Sequence, residues 1–193
     1  MPFVEVKKLE RLRRLIQVIN FQFRLFFSRI FGQGKIKTVG KTYRNRCDSS
    51  VKFLSRKNST IIIKRIEARK NCIFATHEGA VIEFGNGNFF NCNCVVAALE
   101  SIKIGNMCSF GPNVCIYDHD HAFGRAREKN GEGFVTAPVE IGNNCWVGAN
   151  TVILRGTKIG DGCVIGAGCV VKGDIPANSL VTSGRELVIR PIE

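Results

Sequence analysis

The sequence predicts an all-β domain that coils in short strands, preceded by an amphipathic α-helix. Three observations indicate this: a six-residue repeat in the C-terminal half, a glycine or small residue after most of the repeated aliphatic residues, and an N-terminal apolar stripe at helical spacing. At 193 residues and 45% apolar composition, the chain is long enough for one full domain and too short for two ordinary ones. We therefore expect an N-terminal helix and linker over residues 1–46 and one main domain over residues 47–193.

The helix is predicted by residues 7–31, where apolar side chains step alternately by three and four. They are Leu9, Leu12, Ile16, Ile19, Phe23, Phe26 and Ile30. A basic polar face opposite them suits a helix that lies in the plane of an anionic membrane. A helix packed on its own β domain or in a trimeric bundle fits the pattern equally well.

The net charge of +12 is concentrated in this N-terminal segment. Residues 1–46 carry +10, whereas residues 47–193 carry only +2. A nucleic-acid-binding surface spread over the main domain is therefore not expected. No apolar stretch has the form of a signal peptide, so we expect a cytoplasmic protein with reduced thiols.

The repeat runs without interruption from residue 141. Six consecutive hexads begin with a large aliphatic residue, at Ile141, Val147, Ile153, Ile159, Ile165 and Val171. Earlier hexads begin at Ile104, Phe110 and Ile116, and before a two-residue insertion Phe84, Phe90 and Val96 also step by six. An aliphatic residue every six positions, followed by glycine, predicts short strands that alternate with corners, so that the chain coils. Residues 47–80 are predicted to form irregular early coils or a cap.

The same register places most cysteines in the interior. The fifth position of each hexad should point inward and be small, and it is occupied by Cys108, Cys145, Thr151, Thr157, Cys163 and Cys169. A free cysteine behaves as a small apolar residue, so these thiols are interpreted as structural. Nine cysteines without paired C-x-x-C spacing predict neither a disulfide framework nor a metal site.

These hexads, and IGNNCWVGANTVILRGTKIGDGCVIGAGCVVKGDIP in particular, resemble the hexapeptide-repeat acyltransferases of the galactoside and maltose O-acetyltransferase branch. The resemblance covers about residues 80–180. It implies a left-handed parallel β-helix, a homotrimer, and acetyl-CoA bound in the groove between two neighbouring prisms.

The hexad that departs from the pattern, Ile116 to His121, carries the candidate catalytic residues. Asp120 falls at its inward fifth position, and residues 122–134 then lose the register, as expected of a loop beside a site. Acyl transfer to a hydroxyl needs a base near neutral pH, which suits histidine. The shared Pro-Asn-Val segment aligns the family's catalytic histidine with His121, and His119 is the alternative. Asp118 and Asp120 are candidates for orienting an imidazole or binding substrate.

The resemblance also implies cofactor-binding and acceptor-binding residues. The family's oxyanion donor, the amide after a Trp-x-Gly turn, falls on Ala149, and the cofactor would contact Trp146, Gly148, Ala149, Ala167, Lys172, Gly173 and Arg190. Ser183 to Glu186 lack the family's proline. Asn91 matches an acceptor-binding asparagine, for which an asparagine stack or turn inside the coil is an equal alternative. The carboxylate expected near Leu99 is absent unless Glu100 serves.

The sequence therefore predicts an acetyl-CoA-dependent O-acetyltransferase in which His121 acts as general base. The expected acceptor is a sugar hydroxyl of a surface polysaccharide or of its lipid-linked precursor. Acetyl transfer to an amine or to an antibiotic hydroxyl by the same fold is a second hypothesis. A non-catalytic β-helix that serves as a scaffold subunit is a third.

Overall fold

A computed structural model of the protein describes residues 3–31, 34–41, 45–122 and 133–184. Side chains are described in these ranges except at residues 3–8 and 28–31. The described chain consists of one N-terminal helix followed by a parallel β-solenoid of about six turns. The predicted fold class is confirmed in its all-β character, its parallel coiling and its N-terminal helix.

Helix α1 spans Phe3–Phe31, and the strands that follow it are mostly two to four residues long. The strands are β1 Lys35–Thr38, β2 Arg46–Cys47, β3 Lys52–Ser55, β4 Thr60–Ala68, β5 Ile73–Thr76, β6 Val81–Phe90, β7 Val95–Ala98, β8 Ser101–Ile104, β9 Ser109–Phe110, β10 Cys115–Tyr117, β11 His119–His121, β12 Phe134–Thr136, β13 Val139–Ile141, β14 Trp146–Val147, β15 Val152–Ile153, β16 Lys158–Ile159, β17 Val164–Ile165, β18 Val170–Val171, β19 Asp174–Ile175 and β20 Leu180–Val181.

Each strand of the solenoid pairs in parallel with strands of the coils before and after it. One flat face is the sheet β3-β5-β7-β10-β15-β18. The other two faces form a single connected sheet, because the long strands β4 and β6 bend from one face into the next. Pairing begins at Lys35, which lies opposite Thr60. The first strand of the solenoid therefore lies within the segment that the sequence assigned to the linker.

The first residue of each hexad points into the interior, as predicted. Phe84, Phe90 and Val96 are at most 1% exposed, as are Ile153 and Ile165 farther along the chain. Phenylalanines fill the wide early coils, where the rings of Phe90 and Phe110 stack with centroids 4.6 Å apart. The segment 47–80 is more regular than expected: its strands β3, β4 and β5 pair in register with the later coils.

The fifth-position residues are buried as well, which confirms the structural interpretation of these cysteines. The thiols of Cys108, Cys145 and Cys163 each donate to a backbone carbonyl of the next coil, at 3.1, 3.2 and 3.0 Å. Thr151 donates in the same way to Gly166, at 3.0 Å. Small donors at this position therefore connect neighbouring coils through the core.

The inward position assigned to Asp120 is wrong. Asp118 is the buried residue, with 0% exposure, whereas the Asp120 side chain is 34% exposed. The register ends here because the chain leaves the solenoid after Tyr117 and enters strand β11, which pairs with β12 and not with a neighbouring coil.

Helix α1 packs against the first coil with the face opposite its apolar stripe. Phe21 and Leu25 are buried, and the ring of Phe21 meets that of Phe53 with centroids 5.9 Å apart. On the opposite face, Leu12 and Phe23 are 53% and 61% exposed. Within the described part of the chain, no helix combines the length and apolar character needed to cross a bilayer.

Candidate functional site

The two candidate catalytic histidines lie on a β-hairpin that projects from the solenoid. Strands β11 and β12 pair antiparallel, with His119 opposite Thr136 and His121 opposite Phe134. These strands are the two ends of the predicted loop 122–134, whose residues 123–132 lie outside the described chain. Because side chains alternate along a strand, His119 and His121 share one side of β11 and Asp120 points to the other.

Asp118 anchors the base of the hairpin to the preceding coil. Its carboxylate accepts the backbone N–H groups of Leu99 at 2.8 Å and Glu100 at 2.7 Å. The same carboxylate lies 3.0 Å from Nδ1 of His119. A carboxylate in this position favours the imidazole tautomer with a proton on Nδ1, which leaves Nε2 as an acceptor.

The two imidazoles differ in their surroundings. The His119 side chain is 15% exposed and makes edge contacts with the rings of Tyr117 and Phe134, at centroid distances of 5.8 and 5.7 Å. His121 is exposed, and its ring is tilted against Phe134 at 4.7 Å. Burial raises the pKa of Tyr117 to about 12, so its hydroxyl stays protonated near neutral pH. Phe134 contacts both histidines and was missed in the sequence because it lies in the segment 122–134, where the hexad register gives no information on side-chain positions.

The following coil also holds the hairpin. Ala137 donates its N–H to the carbonyl of Asp118 at 2.9 Å, and its own carbonyl accepts the N–H of Gly156 at 3.1 Å. Nε of Arg155 donates to Oδ2 of Asp120 at 2.6 Å. Arg155 was not identified from the sequence, because the hexad register gives no information on which side chain meets the projecting segment.

Three of the seven predicted cofactor residues lie along a different edge of the solenoid, which we call the asparagine edge. Its corner residues Asn71, Asn93, Asn113 and Asn150 have positive φ angles, and their side-chain amides are hydrogen-bonded from coil to coil. Gly148, Ala149 and Ala167 belong to the same turns. A Cβ on Gly148 would lie 2.5 Å from the backbone nitrogen of Ala167, so only glycine lets these coils stack.

The Ala149 turn has the features expected of a backbone donor site. The neighbouring N–H groups of Gly148 and Asn150 donate to the carbonyls of Ile165 and Pro112, whereas Ala149 N–H makes no hydrogen bond within the described residues. Ala167 is exposed, and a Cβ on Gly168 would meet no atom within 4 Å. Small side chains therefore leave the backbone of this edge accessible, which fits an extended pantetheine arm.

Asn91 also lies on the asparagine edge, in the column of Gly148. Its Oδ1 accepts the N–H of Cys92 at 2.9 Å, which is a local turn contact. The coil-to-coil stack uses Asn93, two residues later. Trp146 lies before the same edge on an adjoining face, where it is 58% exposed and in register with Val164.

Two further cofactor candidates lie with the hairpin on a second edge, which we call the hairpin edge. Lys172 and Gly173 follow β18, which stacks on β15 and, through it, on β10. Arg190 lies outside the described residues. The two edges border the same flat face. Crossing this face from one edge to the other takes about six residues of chain, so the edges are separated by up to roughly 20 Å. One protomer therefore does not bring the histidines and the Ala149 turn together.

A groove of about 690 Å³ lies along another face of the described chain. Its charged side chains alternate in register, with Lys103 between Glu83 and Glu140, and Lys158 between Glu140 and Asp174. Opposite charges therefore alternate along the sheet, and the groove includes none of the predicted site residues.

Comparisons with known proteins agree with this architecture. The family model of bacterial transferase hexapeptide repeats matches residues 138–173. The galactoside O-acetyltransferase of Escherichia coli strain K12 is 37% identical over 114 residues, which are 59% of this chain and 56% of that protein. The galactoside O-acetyltransferase of Lactococcus lactis strain IL1403 is 36% identical over 117 residues, covering 58% of this chain and 56% of that protein.

The match extends further in structure than in sequence. A mutant of AntD, an N-acyltransferase from Bacillus cereus solved with dTDP-4-amino-4,6-dideoxyglucose and coenzyme A, superimposes with a TM-score of 0.61. The superposition covers 81% of this chain and 83% of that one at 14% identity, which is a likeness of fold. This chain spans slightly more than half the length of the galactoside O-acetyltransferases it matches. The chain therefore carries bacterial transferase hexapeptide repeats over residues 138–173, and its sequence is similar to that of the galactoside O-acetyltransferases over somewhat more than half of its length.

Proposed function

We propose that the protein is an acetyl-CoA-dependent O-acetyltransferase that acts on a sugar hydroxyl. The observation that carries the proposal is the histidine hairpin, which projects from the edge of a solenoid whose repeats match the hexapeptide transferases. The names of the two galactoside O-acetyltransferases favour a saccharide acceptor and an oxygen nucleophile. The likeness to the N-acyltransferase AntD concerns the fold and does not favour an amine acceptor.

In this proposal His121 is the general base. Its ring is exposed to an incoming acceptor, whereas His119 is largely covered and is held by Asp118. His121 takes the proton of the hydroxyl as the oxygen attacks the thioester carbonyl carbon. Ala149 N–H donates to the oxyanion that forms. When the carbon–sulfur bond breaks, the imidazolium returns its proton to the departing thiolate, which yields an acetyl ester and a free thiol.

The separation of the two edges supports a site shared between subunits. The histidines occupy the hairpin edge and the Ala149 turn occupies the asparagine edge, so a complete site needs the hairpin edge of one subunit and the asparagine edge of its neighbour. Trp146 and Leu180 form an exposed apolar column beside the asparagine edge, at 58% and 70% exposure. A head-to-tail contact of this kind gives a ring when its rotation closes, and we propose that it closes as a homotrimer.

Coenzyme A release tests the enzymatic proposal. Purified protein is supplied with acetyl-CoA and a panel of galactosides, glucosides and oligosaccharides, and the free thiol is measured. We expect acceptor-dependent release that falls at least about 100-fold in His121→Ala. Activity that survives in His121→Ala but is lost in His119→Ala would assign the base to His119. The absence of both thiol release and coenzyme A binding would favour the scaffold hypothesis.

We also propose that helix α1 binds an anionic membrane surface. Its outward face exposes Leu12, Ile19 and Phe23, and exposed Arg11 and Arg13 lie on the two flanks of that face. Helix α1 does pack on its own β domain through Phe21 and Leu25, as the alternative expects, but its apolar stripe is left largely exposed, with Leu12 and Phe23 at 53% and 61%. A trimeric bundle stays as the competing arrangement.

If α1 lies on the membrane in this way, the first coil of the solenoid faces the lipid and the later coils extend away from it. The hairpin leaves the solenoid three coils above β3, which lies in the coil next to α1. With about 4.8 Å per coil and about 10 Å for the helix, the hairpin lies roughly 25 Å from the lipid surface. That distance supports a lipid-linked saccharide as acceptor, because its sugars extend beyond the headgroup layer.

Vesicle co-sedimentation tests the membrane proposal. Vesicles of equal parts phosphatidylglycerol and phosphatidylcholine should bring down the wild type, and pure phosphatidylcholine vesicles should not. The double variant Ile19→Glu, Phe23→Glu should stay in the supernatant, while Val39→Glu, at another exposed apolar residue, should still sediment. A trimeric bundle of the helices predicts two other results. The wild type would not sediment with the vesicles, and the double variant would form smaller assemblies than the wild type in analytical ultracentrifugation.

A further inference from the structure

We propose that Arg155 is a positioning residue that sets the orientation of the histidine hairpin by acting through Asp120. The inference rests on the proposed acetyl transfer for its catalytic consequence, but its structural basis is independent of that reaction. Arg155 belongs to the coil that follows the hairpin, whereas Asp120 lies on β11 between the two histidines.

Within the described residues, the contact joins the solenoid to the middle of β11, beyond the bonds at the base of the hairpin. Asp118 and Ala137 hold the two ends at the base, through backbone hydrogen bonds to the preceding and following coils. Asp120 is one residue from His121 and points to the opposite side of the strand. A change in the Asp120 contact therefore rotates or lifts the strand and moves both imidazoles together.

Arg155 is itself held in a constrained turn. Thr157 is buried and donates to the carbonyls of Leu154 at 2.6 Å and Val171 at 3.2 Å. Gly156 has a φ of +74° and donates its N–H to Ala137. The guanidinium therefore extends from a rigid corner to the projecting strand, and Nε approaches Asp120 to 2.6 Å.

The partial exposure of the Arg155–Asp120 ion pair indicates that it acts on local geometry and not on global stability. Side chains of Arg155 and Asp120 are 27% and 34% exposed, and ion pairs this open contribute little to global stability. Their main effect is to restrict geometry, because a small displacement of a catalytic group is enough to slow a reaction substantially. The pair Arg46–Glu67 on an early coil has nearly the same exposure, 33% and 31%, and provides a matched control.

The first test follows the histidine side chains directly and does not depend on activity. The chain has three histidines, so protein labelled at histidine gives three imidazole signals in NMR spectra. Arg155→Met should shift or broaden the signals of His119 and His121 and leave that of His77 unchanged. Arg46→Met should change none of the three. Unchanged His119 and His121 signals in Arg155→Met would overturn the inference, whether or not the protein acetylates a sugar.

The second test uses coenzyme A release with the galactoside that gives the highest wild-type rate. Arg155→Met and Asp120→Asn should each lower kcat about 10–100-fold while KM for acetyl-CoA changes by less than about twofold. The double variant should be no slower than either single variant, because both remove one contact. Arg155→Lys should recover part of kcat, and Arg46→Met should match the wild type.

The outcomes separate this inference from the proposed function. A role through Asp120 would be contradicted if the fall in kcat of the double variant equalled the product of the falls in the two single variants. It would also be contradicted if Arg155→Met kept the wild-type kcat. Shifted histidine signals in a protein that releases no thiol would refute the acetyltransferase proposal and leave the positioning contact established.

Discussion

Asp118 offers the sharpest test of how the hairpin is attached to the solenoid. Its carboxylate is fully buried and accepts two backbone N–H groups of the preceding coil, at 2.8 and 2.7 Å. The substitution Asp118→Asn keeps the size and shape of the side chain. It replaces one accepting oxygen by an NH₂ group that faces a backbone N–H and cannot accept from it.

The expected cost follows from these two hydrogen bonds. A hydrogen bond to a charged group contributes about 1.5–3 kcal/mol, and a buried donor left without an acceptor costs about 1–3 kcal/mol. Asn retains one of the two bonds in weaker, neutral form. We therefore expect Asp118→Asn to lower the free energy of unfolding by about 2–4 kcal/mol, or Tm by about 4–16 °C in a chain of this length.

Thermal unfolding followed by far-UV circular dichroism measures the effect. The control is Asp174→Asn, an exposed carboxylate on β19, which should leave Tm close to that of the wild type. A Tm of Asp118→Asn within about 2 °C of the wild type would refute the reasoning. So would an equal loss in both variants, since that would reflect net charge and not burial.

Three further predictions concern the solenoid itself. Gly148→Ala should lower stability by about 1–3 kcal/mol in urea unfolding, because the new Cβ would lie 2.5 Å from the backbone of the next coil. Phe90→Ala should cost about 3–5 kcal/mol in the same assay, because it removes a 0%-exposed ring stacked on Phe110 at 4.6 Å. The Asn143 N–H bond holds the pKa of Asp161 below its usual range, so its stabilisation is present near neutral pH and is lost as pH falls through the lowered value. Asp161→Asn should therefore flatten the acid limb of a plot of Tm against pH, and an unchanged limb would contradict this origin.

The interior of the solenoid could be predicted because the six-residue period of the sequence follows directly from which residues are buried in each coil. A residue that recurs every six positions must have the same environment in each coil, which is why Ile153 and Cys163 were assigned correctly. The same reasoning failed at Asp120, because it extended the register through a hexad that leaves the solenoid. Asp118 takes the buried position there, and its carboxylate accepts the backbone N–H groups of Leu99 and Glu100, nineteen and eighteen residues earlier in the chain.

Contacts between the repeat and its appendages could not be obtained from periodicity. The stripe on α1 was identified correctly as apolar, yet its outward direction follows from two buried residues on the other face, Phe21 and Leu25. Arg155 occupies an ordinary position in its hexad, and its importance is visible only in the contact with Asp120. The separation of the histidines from Ala149 likewise depends on which corner each residue occupies.

Mixing two inactive variants tests the central claim most directly, namely that His121 acts in a site shared by neighbouring subunits. His121→Ala lacks the base, and Ala167→Trp is designed to block the accessible asparagine edge while retaining His121. After subunit exchange at equal amounts, a shared site needs the hairpin of one variant and the asparagine edge of the other, which random assembly provides at about one quarter of sites.

We therefore expect the mixture to recover about one quarter of the wild-type rate of coenzyme A release, while each variant alone stays inactive. Mass spectrometry of the mixed assemblies verifies that exchange has occurred. No recovery despite complete exchange would show that the reaction does not combine His121 of one subunit with the asparagine edge of another.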